Sequence, residues 1–211
     1  MIVETFPVGM LACNCTILAD PASGEAIVID GGDDVPAIAA RLAAHNVRPR
    51  YLVHTHAHFD HIGALGPLRE RCGGAGLLHH ADRPLYATLA QQARWVGLAG
   101  GLEPVPLDGD LADGDALTAG ALTLRVLHTP GHTPGSTTFA LENDGATTLF
   151  TGDTLFRGAV GRWDLGGTSL EDIVNSIRTK LLVFDDTTGV ISGHGEPTTI
   201  GIERTTNPYL L

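Results

Sequence analysis

Short runs rich in β-formers open the chain: IVETFPV, then CTILAD, then EAIVIDGG, the last closed by the turn signal Gly31-Gly32. The pattern then changes period. In DVPAIAARLAAHN, Val35, Ile38, Ala39 and Leu42 fall at helical spacing, with Asp33 or Asp34 available as N-cap. RYLVHTH reads as a strand, HIGALGPLRERC as a helix starting near His61, AGLLHH as a short strand and RPLYATLAQQARW as a helix. Residues 97–120 are rich in Gly, Asp and Pro and read as loop with short strands. Three more β-like runs follow, ALTLRVLHTP, STTFALEN and TTLFTGD.

The clearest helix comes last, with Leu170, Ile173, Val174, Ile177 and Leu181 on one stripe and a capping box read at Thr168 and Glu171. GVISGHG is a final short strand. Strands thus come in two clusters, each followed by helices. This predicts an α/β fold, a four-layer αββα sandwich of two mixed β-sheets flanked by helices, in a single domain spanning 1–211.

Composition narrows the partners. The formal net charge is −11, from 13 Lys plus Arg against 24 Asp plus Glu, and Lys180 is the one lysine. So acidic a chain without a basic run is expected to bind no nucleic acid. No run of about 18 apolar residues is present, so no membrane span is expected. Residues 1–12 lack a basic start and a long apolar core, and three cysteines are few, which together predict a cytoplasmic protein. Cys13 and Cys15 share one strand face and read as buried, apolar-like residues. Nothing in the sequence separates monomer from dimer.

The chemistry is concentrated in HTHAHFDH, residues 54–61. In extended chain, His56 and His58 leave the same face and can hold one ion. Asp60 and His61 follow a turn and can reach a second ion nearby. Imidazole and carboxylate without thiolate suit zinc, iron or manganese at a reactive site, whereas a structural zinc more usually recruits cysteines. His54 lies deeper in the strand and reads as a buried, hydrogen-bonded neighbour. His132 in TPGHTPGS, Asp153 in FTGDTLF, His194 in ISGHGEP and Asp30 in VIDGG each stand at a strand-to-loop junction beside glycine, where a scaffold can aim side chains into a shared cleft.

HAHFDH, PGHTPGS, FTGDTLF and SGHGEPTT, in that order, resemble the metallo-β-lactamase superfamily. GDTLFRGAVGR and PTTIGIERTTNPYL are similar to the short bacterial branch of the glyoxalase II-like hydrolases. His61, where Cys or Arg would point to true lactamases, leans the same way.

The resemblance implies the metallo-β-lactamase fold and two divalent metal ions, zinc first, with iron or manganese as alternatives. His56, His58 and His132 would bind the first ion and Asp60, His61 and His194 the second, with Asp153 bridging. Asp30 would steady ligands from behind. The implied activity is thioester hydrolysis of the hydroxyacylglutathione hydrolase type on a small-molecule thioester, with Asp60 orienting the nucleophile and taking its proton. Arg157 and Arg162 are candidate contacts for a substrate carboxylate. Arg162 matches a lysine of the family's glutathione site, but Asp164 stands where that site has tyrosine, and the short branch that the chain resembles is expected to lack the C-terminal helical domain that completes that site. Two alternatives share the fold: lactone hydrolysis, and a persulfide dioxygenase using one iron on His56, His132 and Asp153, suggested by the loop RGAVGRWD. Phe59, Phe156 and Trp163 are candidates for the cleft wall or, for Phe156 especially, the core.

Overall fold

The structure, a computed structural model, describes residues 1–98, 102–143, 145–164 and 168–211. Fourteen strands are present among them. The first sheet takes its strands in chain order: β1 Ile2–Val8, β2 Cys13–Asp20, β3 Glu25–Ile29, β4 Arg48–Val53, β5 Ala75–His79 and β6 Gly109–Leu111. Its first three strands pair antiparallel and the rest parallel, so the sheet is mixed. The second sheet contains β7 Ala116–Ala119, β8 Leu122–His128, β9 Thr137–Asn143, β10 Ala146–Gly152, β13 Gly189–Ser192 and β14 Thr198–Thr199. Its order is β14-β13-β10-β9-β8-β7, and β10 with β13 is its parallel pair. Between β10 and β13 a small hairpin pairs β11 Leu155–Phe156 with β12 Ala159–Val160.

Strand alternation sorts the side chains into three cores, which is why four layers form. Leu18, Ile27, Ile29, Val53, Phe139, Leu141 and Phe150 interdigitate between the sheets. The opposite parity of β2 and β3, namely Cys13, Cys15, Ile17, Ala26 and Val28, faces Ile38 and Leu42 of helix α1 (Val35–Ala44) and Leu65 and Leu68 of α3 (Leu65–Cys72). On the far side, Ala140, Leu149 and Val190 meet Ile173, Ile177 and Leu181. These last belong to α6 (Leu170–Ser176) and its wider continuation Ile177–Leu181, in which the Leu182 N–H returns to the Ile177 carbonyl at 2.8 Å. Cys13 and Cys15 are both buried and free.

Several expectations need correction. The helix read from His61 is two pieces, α2 Phe59–Ile62 and α3, and the helix read over 83–95 is α4 Arg83–Tyr86 followed by α5 Leu89–Trp95. Asp34 sits at the N-cap position of α1 but in left-handed backbone, and its carboxylate accepts from Gly9 N–H instead of capping. The capping box lies one residue on, at Ser169 and Asp172, because Ser169 is the last extended residue; Thr168 donates to the Trp163 carbonyl instead. Leu170, read onto the buried stripe, is exposed. A helix over Ile200–Thr206, α7, was not visible in the sequence pattern. Of the segment 97–120, residues 99–101 lie outside the described residues; the rest carries β6 and β7. Among the described residues no helix is long and apolar enough to cross a membrane.

Candidate metal centre

The two sheets bring their strand ends to one edge of the sandwich. Asp30 follows β3, the 54–58 loop follows β4, His132 lies between β8 and β9, Asp153 follows β10 and His194 follows β13. All seven side chains expected to hold metal converge there. His58 Nδ1 and His132 Nε2 stand 3.0 Å apart, and His56 completes a group whose ligand atoms are mutually within 4.8 Å. On the other side His61 Nε2 approaches His194 Nε2 at 3.3 Å, and Asp60 Oδ2 lies 3.2 Å from His194 Nε2 and 3.6 Å from His61 Nε2. Asp153 spans both halves: Oδ1 is 3.4 Å from His61 Nε2, and Oδ2 is 3.6 Å from His132 Nε2.

The outward nitrogens are already committed. His132 Nδ1 meets the Arg162 carbonyl at 2.8 Å, His194 Nδ1 the Leu11 carbonyl at 3.0 Å, and His61 Nδ1 the Asp30 carboxylate at 3.0 Å. Carbonyls and carboxylates only accept, so these Nδ1 atoms carry the protons and the Nε2 atoms turn bare lone pairs inward. Lone pairs facing at such distances repel unless a cation lies between them. His56 Nε2 and Asp153 Oδ1 are buried with no hydrogen-bond partner, which adds two more acceptors wanting one. A zinc–nitrogen distance of about 2.0–2.1 Å at tetrahedral angles places neighbouring nitrogens roughly 3.3 Å apart. The observed spacings therefore fit divalent ions.

Electrostatics agree. Burial, reinforced by the charges of His61 and its neighbours, drives His56 well below the ordinary histidine range and His58 down to about 3, so both are neutral, as ligands must be. For Asp60 burial pushes upward, but the His194 hydrogen bond and the charges of His61 and His194 win, and its carboxyl falls to about 2. Burial likewise opposes charge on His61, and here the Asp30 and Asp153 carboxylates outweigh it and raise it, so that it holds a proton that a metal ion would displace.

The backbone of the 54–58 loop has left the sheet, so its buried polar groups need other partners. Asp30, in left-handed backbone at φ 54°, accepts from Thr55 N–H and Thr55 Oγ1, both at 2.8 Å, besides His61. Strain of this kind is held where surrounding contacts over-determine it. Ala57 N–H donates to Asp82 at 2.9 Å, while Gln92 donates to the Ala57 carbonyl at 3.1 Å and accepts from Phe59 N–H at 3.0 Å. Neither Asp82 nor Gln92 was singled out from the sequence. An acid three residues past the apolar strand AGLLH is the available signal for Asp82, a looser version of the placement of Asp30 and Asp153, which follow their strands directly.

Other readings divide. His54 is buried and bonds the His61 carbonyl at 2.9 Å, as expected of a neighbour. Cys13 Sγ lies 3.5 Å from His61 Nδ1, the nitrogen already given to Asp30, and burial pushes the thiol up to about 12. The arginines are not among the groups brought together. Arg157 is exposed on the β11–β12 turn, and the Arg162 guanidinium forks onto Asp164 at 2.9 and 3.0 Å; Arg162 reaches the centre through its backbone carbonyl. Phe156 is half-buried and lies near-parallel to the His194 ring at 6.5 Å, so it walls the site rather than filling the core. Two cavities flank the cluster. One of about 270 Å³ is lined by His58, His132, Pro84 and Leu85, the other of about 310 Å³ by Asp60, Phe59, Met10 and Leu102.

Known proteins match this arrangement. The family model of the metallo-beta-lactamase superfamily matches residues 8–194. Hydroxyacylglutathione hydrolase GloC of Haemophilus influenzae is 35% identical, over 100% of this chain and 98% of its own. The crystal structure of BLEG-1 B3 metallo-beta-lactamase superposes with a TM-score of 0.89 at 35% identity, covering 99% of each chain. That of TTHA1623 in a di-iron-bound form gives 0.85 at 38% identity, covering 98% of this chain and 100% of the other.

Proposed function

The chain belongs to the metallo-beta-lactamase superfamily, and from that premise we propose that it is a dinuclear metal-dependent thioester hydrolase of the hydroxyacylglutathione hydrolase type. The observation that carries this reading is the sharing of Asp153 between two inward-facing ligand groups. His56, His58 and His132 would hold one divalent ion, Asp60, His61 and His194 the other, with Asp153 between. The donor set suits zinc first, and iron or manganese also. Bound there, two such ions supply an activated water at neutral pH and polarisation of a substrate carbonyl.

The chain's own groups do the rest. Asp60 stays ionised to low pH, so its carboxylate can accept a hydrogen bond from an attacking water and orient it. Asp30 and the carbonyls of Arg162 and Leu11 lock three imidazoles in the tautomer that presents Nε2. Phe156 and the flanking cavities, lined in part by Pro84, Leu85, Met10 and Leu102, offer apolar wall to an acyl group or its carrier. A departing thiolate needs no proton, so the scheme requires no separate general acid. Engagement of Arg162 with Asp164 weakens the case for a carboxylate clamp by that residue, so carriers other than glutathione belong among the candidate small-molecule thioesters. No nucleic-acid or membrane partner enters this reading.

The experiment is a hydrolysis screen on protein reconstituted separately with zinc, iron and manganese. S-acylglutathione, other thioesters, lactones and a chromogenic β-lactam are the substrates, the last because one solved relative is a B3 metallo-beta-lactamase. The expected result is thioester turnover with two ions per chain, abolished in a folded Asp60→Ala variant. One iron per chain with oxygen uptake on a persulfide would replace this reading by the dioxygenase one, and preferential lactone turnover by a lactonase.

A further inference from the structure

Asp82 lies outside the ligand set, is fully buried, and touches the two loops that carry His56, His58 and His132. Its Oδ2 accepts from Ala57 N–H at 2.9 Å and from Thr133 Oγ1 at 2.8 Å, and its Oδ1 accepts from Gly135 N–H at 2.6 Å. Ala57 stands between His56 and His58, and Thr133 directly follows His132. The first loop leaves β4 of one sheet and the second leaves β8 of the other. One carboxylate therefore ties together the ends of two different sheets beside one half of the centre. Gly135 is part of the same construction, since a Cβ there would sit 2.6 Å from the Asp82 carboxyl carbon, closer than side-chain atoms approach.

The other half of the centre is held by different groups. His61 is fixed by Asp30, and His194 by the Leu11 carbonyl, with Asn14 Nδ2 donating to the carbonyls of Ser192 and Gly195 on either side. None of these contacts involves Asp82.

We propose that Asp82 is a positioning residue specific to the first ion site, setting the separation between the His56–His58 loop and His132. The proposal rests on the two-ion reading of the centre and deepens it: the two halves are supported by separate carboxylates and should fail separately. Replacing Asp82 by Asn leaves one acceptor oxygen for donors arranged around two, so an amide N–H must face a donor and the loops part.

The test uses the full chain and zinc competition against a chromophoric chelator. Asp82→Asn is placed in a His194→Ala background, which isolates the first ligand set, and in a His58→Ala background, which isolates the second. The expected result is about 10–100-fold weaker zinc binding in the first background and unchanged binding in the second. Equal weakening in both, as a merely structural role would give, overturns the proposal, and so does no weakening in either. Should Asp82→Asn fail to fold, Thr133→Val removes one of the three hydrogen bonds at nearly constant shape; about tenfold weakening confined to the first set is then expected, and its absence is decisive against. If the unaltered chain takes up no zinc, iron or manganese, the two-ion reading itself is what fails.

Discussion

Asp30→Asn swaps one carboxylate oxygen for an amide at constant shape, and the geometry around it dictates the cost. Oδ1 serves one donor, Thr55 N–H at 2.8 Å, while Oδ2 serves two, Thr55 Oγ1 at 2.8 Å and His61 Nδ1 at 3.0 Å. If the amide takes the Oδ2 place, His61 Nδ1 must accept, and its proton moves to Nε2, which faces His194 and Asp153. The inward lone pair is then lost. If the amide takes the Oδ1 place, it meets Thr55 N–H donor to donor, and a buried N–H left without an acceptor costs about 1–3 kcal/mol. The backbone does not confound the comparison, because Asn tolerates the left-handed conformation at φ 54° as well as Asp. Supporting residues of this kind are typically worth 10–100-fold in metal affinity, or about 1.4–2.7 kcal/mol. Zinc competition titration should therefore show one of two sites weakened by that factor, and urea unfolding of the metal-free protein should show a loss of about 1–3 kcal/mol. Wild-type affinity at both sites with an unchanged urea midpoint would refute the tautomer argument.

Gly32→Ala would drive a Cβ into the backbone carbonyl of Asp60, so α2 must shift with Asp60 and His61; metal analysis should fall from two ions per chain to one, and retention of two ions contradicts the packing. Ser169→Ala removes the side-chain half of the observed capping box and should cost about 1 kcal/mol in urea unfolding, against almost nothing for Thr168→Ala; the reverse ranking would restore the cap position read from sequence. His54 is wholly buried, and burial lowers it from 6.5 to about 4. Below pH 6.5 the unfolded chain binds a proton that the folded chain refuses, so stability is full above 6.5 and declines as pH falls towards 4, by about 3 kcal/mol in all. His54→Asn, which keeps a donor for the His61 carbonyl, should flatten that part of the pH profile, and identical slopes in both proteins would show that His54 titrates freely.

What could be read from the chain alone follows from what is local. Strand parity along β2 and β3 sorts Ile27 and Ile29 from Ala26 and Val28 without knowledge of any partner, and the αββα layering follows from that sorting. The spacing in HTHAHFDH is local too, which is why its ligand character shows before any fold is known. Helix ends were less legible. The fracture between α2 and α3, and between α4 and α5, depends on tertiary packing that no apolar period encodes. Helix α7 buries only Ile200 and Glu203 of its seven residues, too few to make a stripe. The groups that elude sequence reading most completely are Asp82, Gln92 and the Leu11 and Arg162 carbonyls. Each matters because of an unpaired donor or acceptor opposite it, on a segment tens of residues away or more. Asp82 answers Ala57 N–H only because the 54–58 loop has left its sheet, and it answers Thr133 only because the second sheet ends at the same edge. A ligand motif states which side chains can bind an ion; the buried acceptors behind it determine whether those side chains stand still long enough to do so.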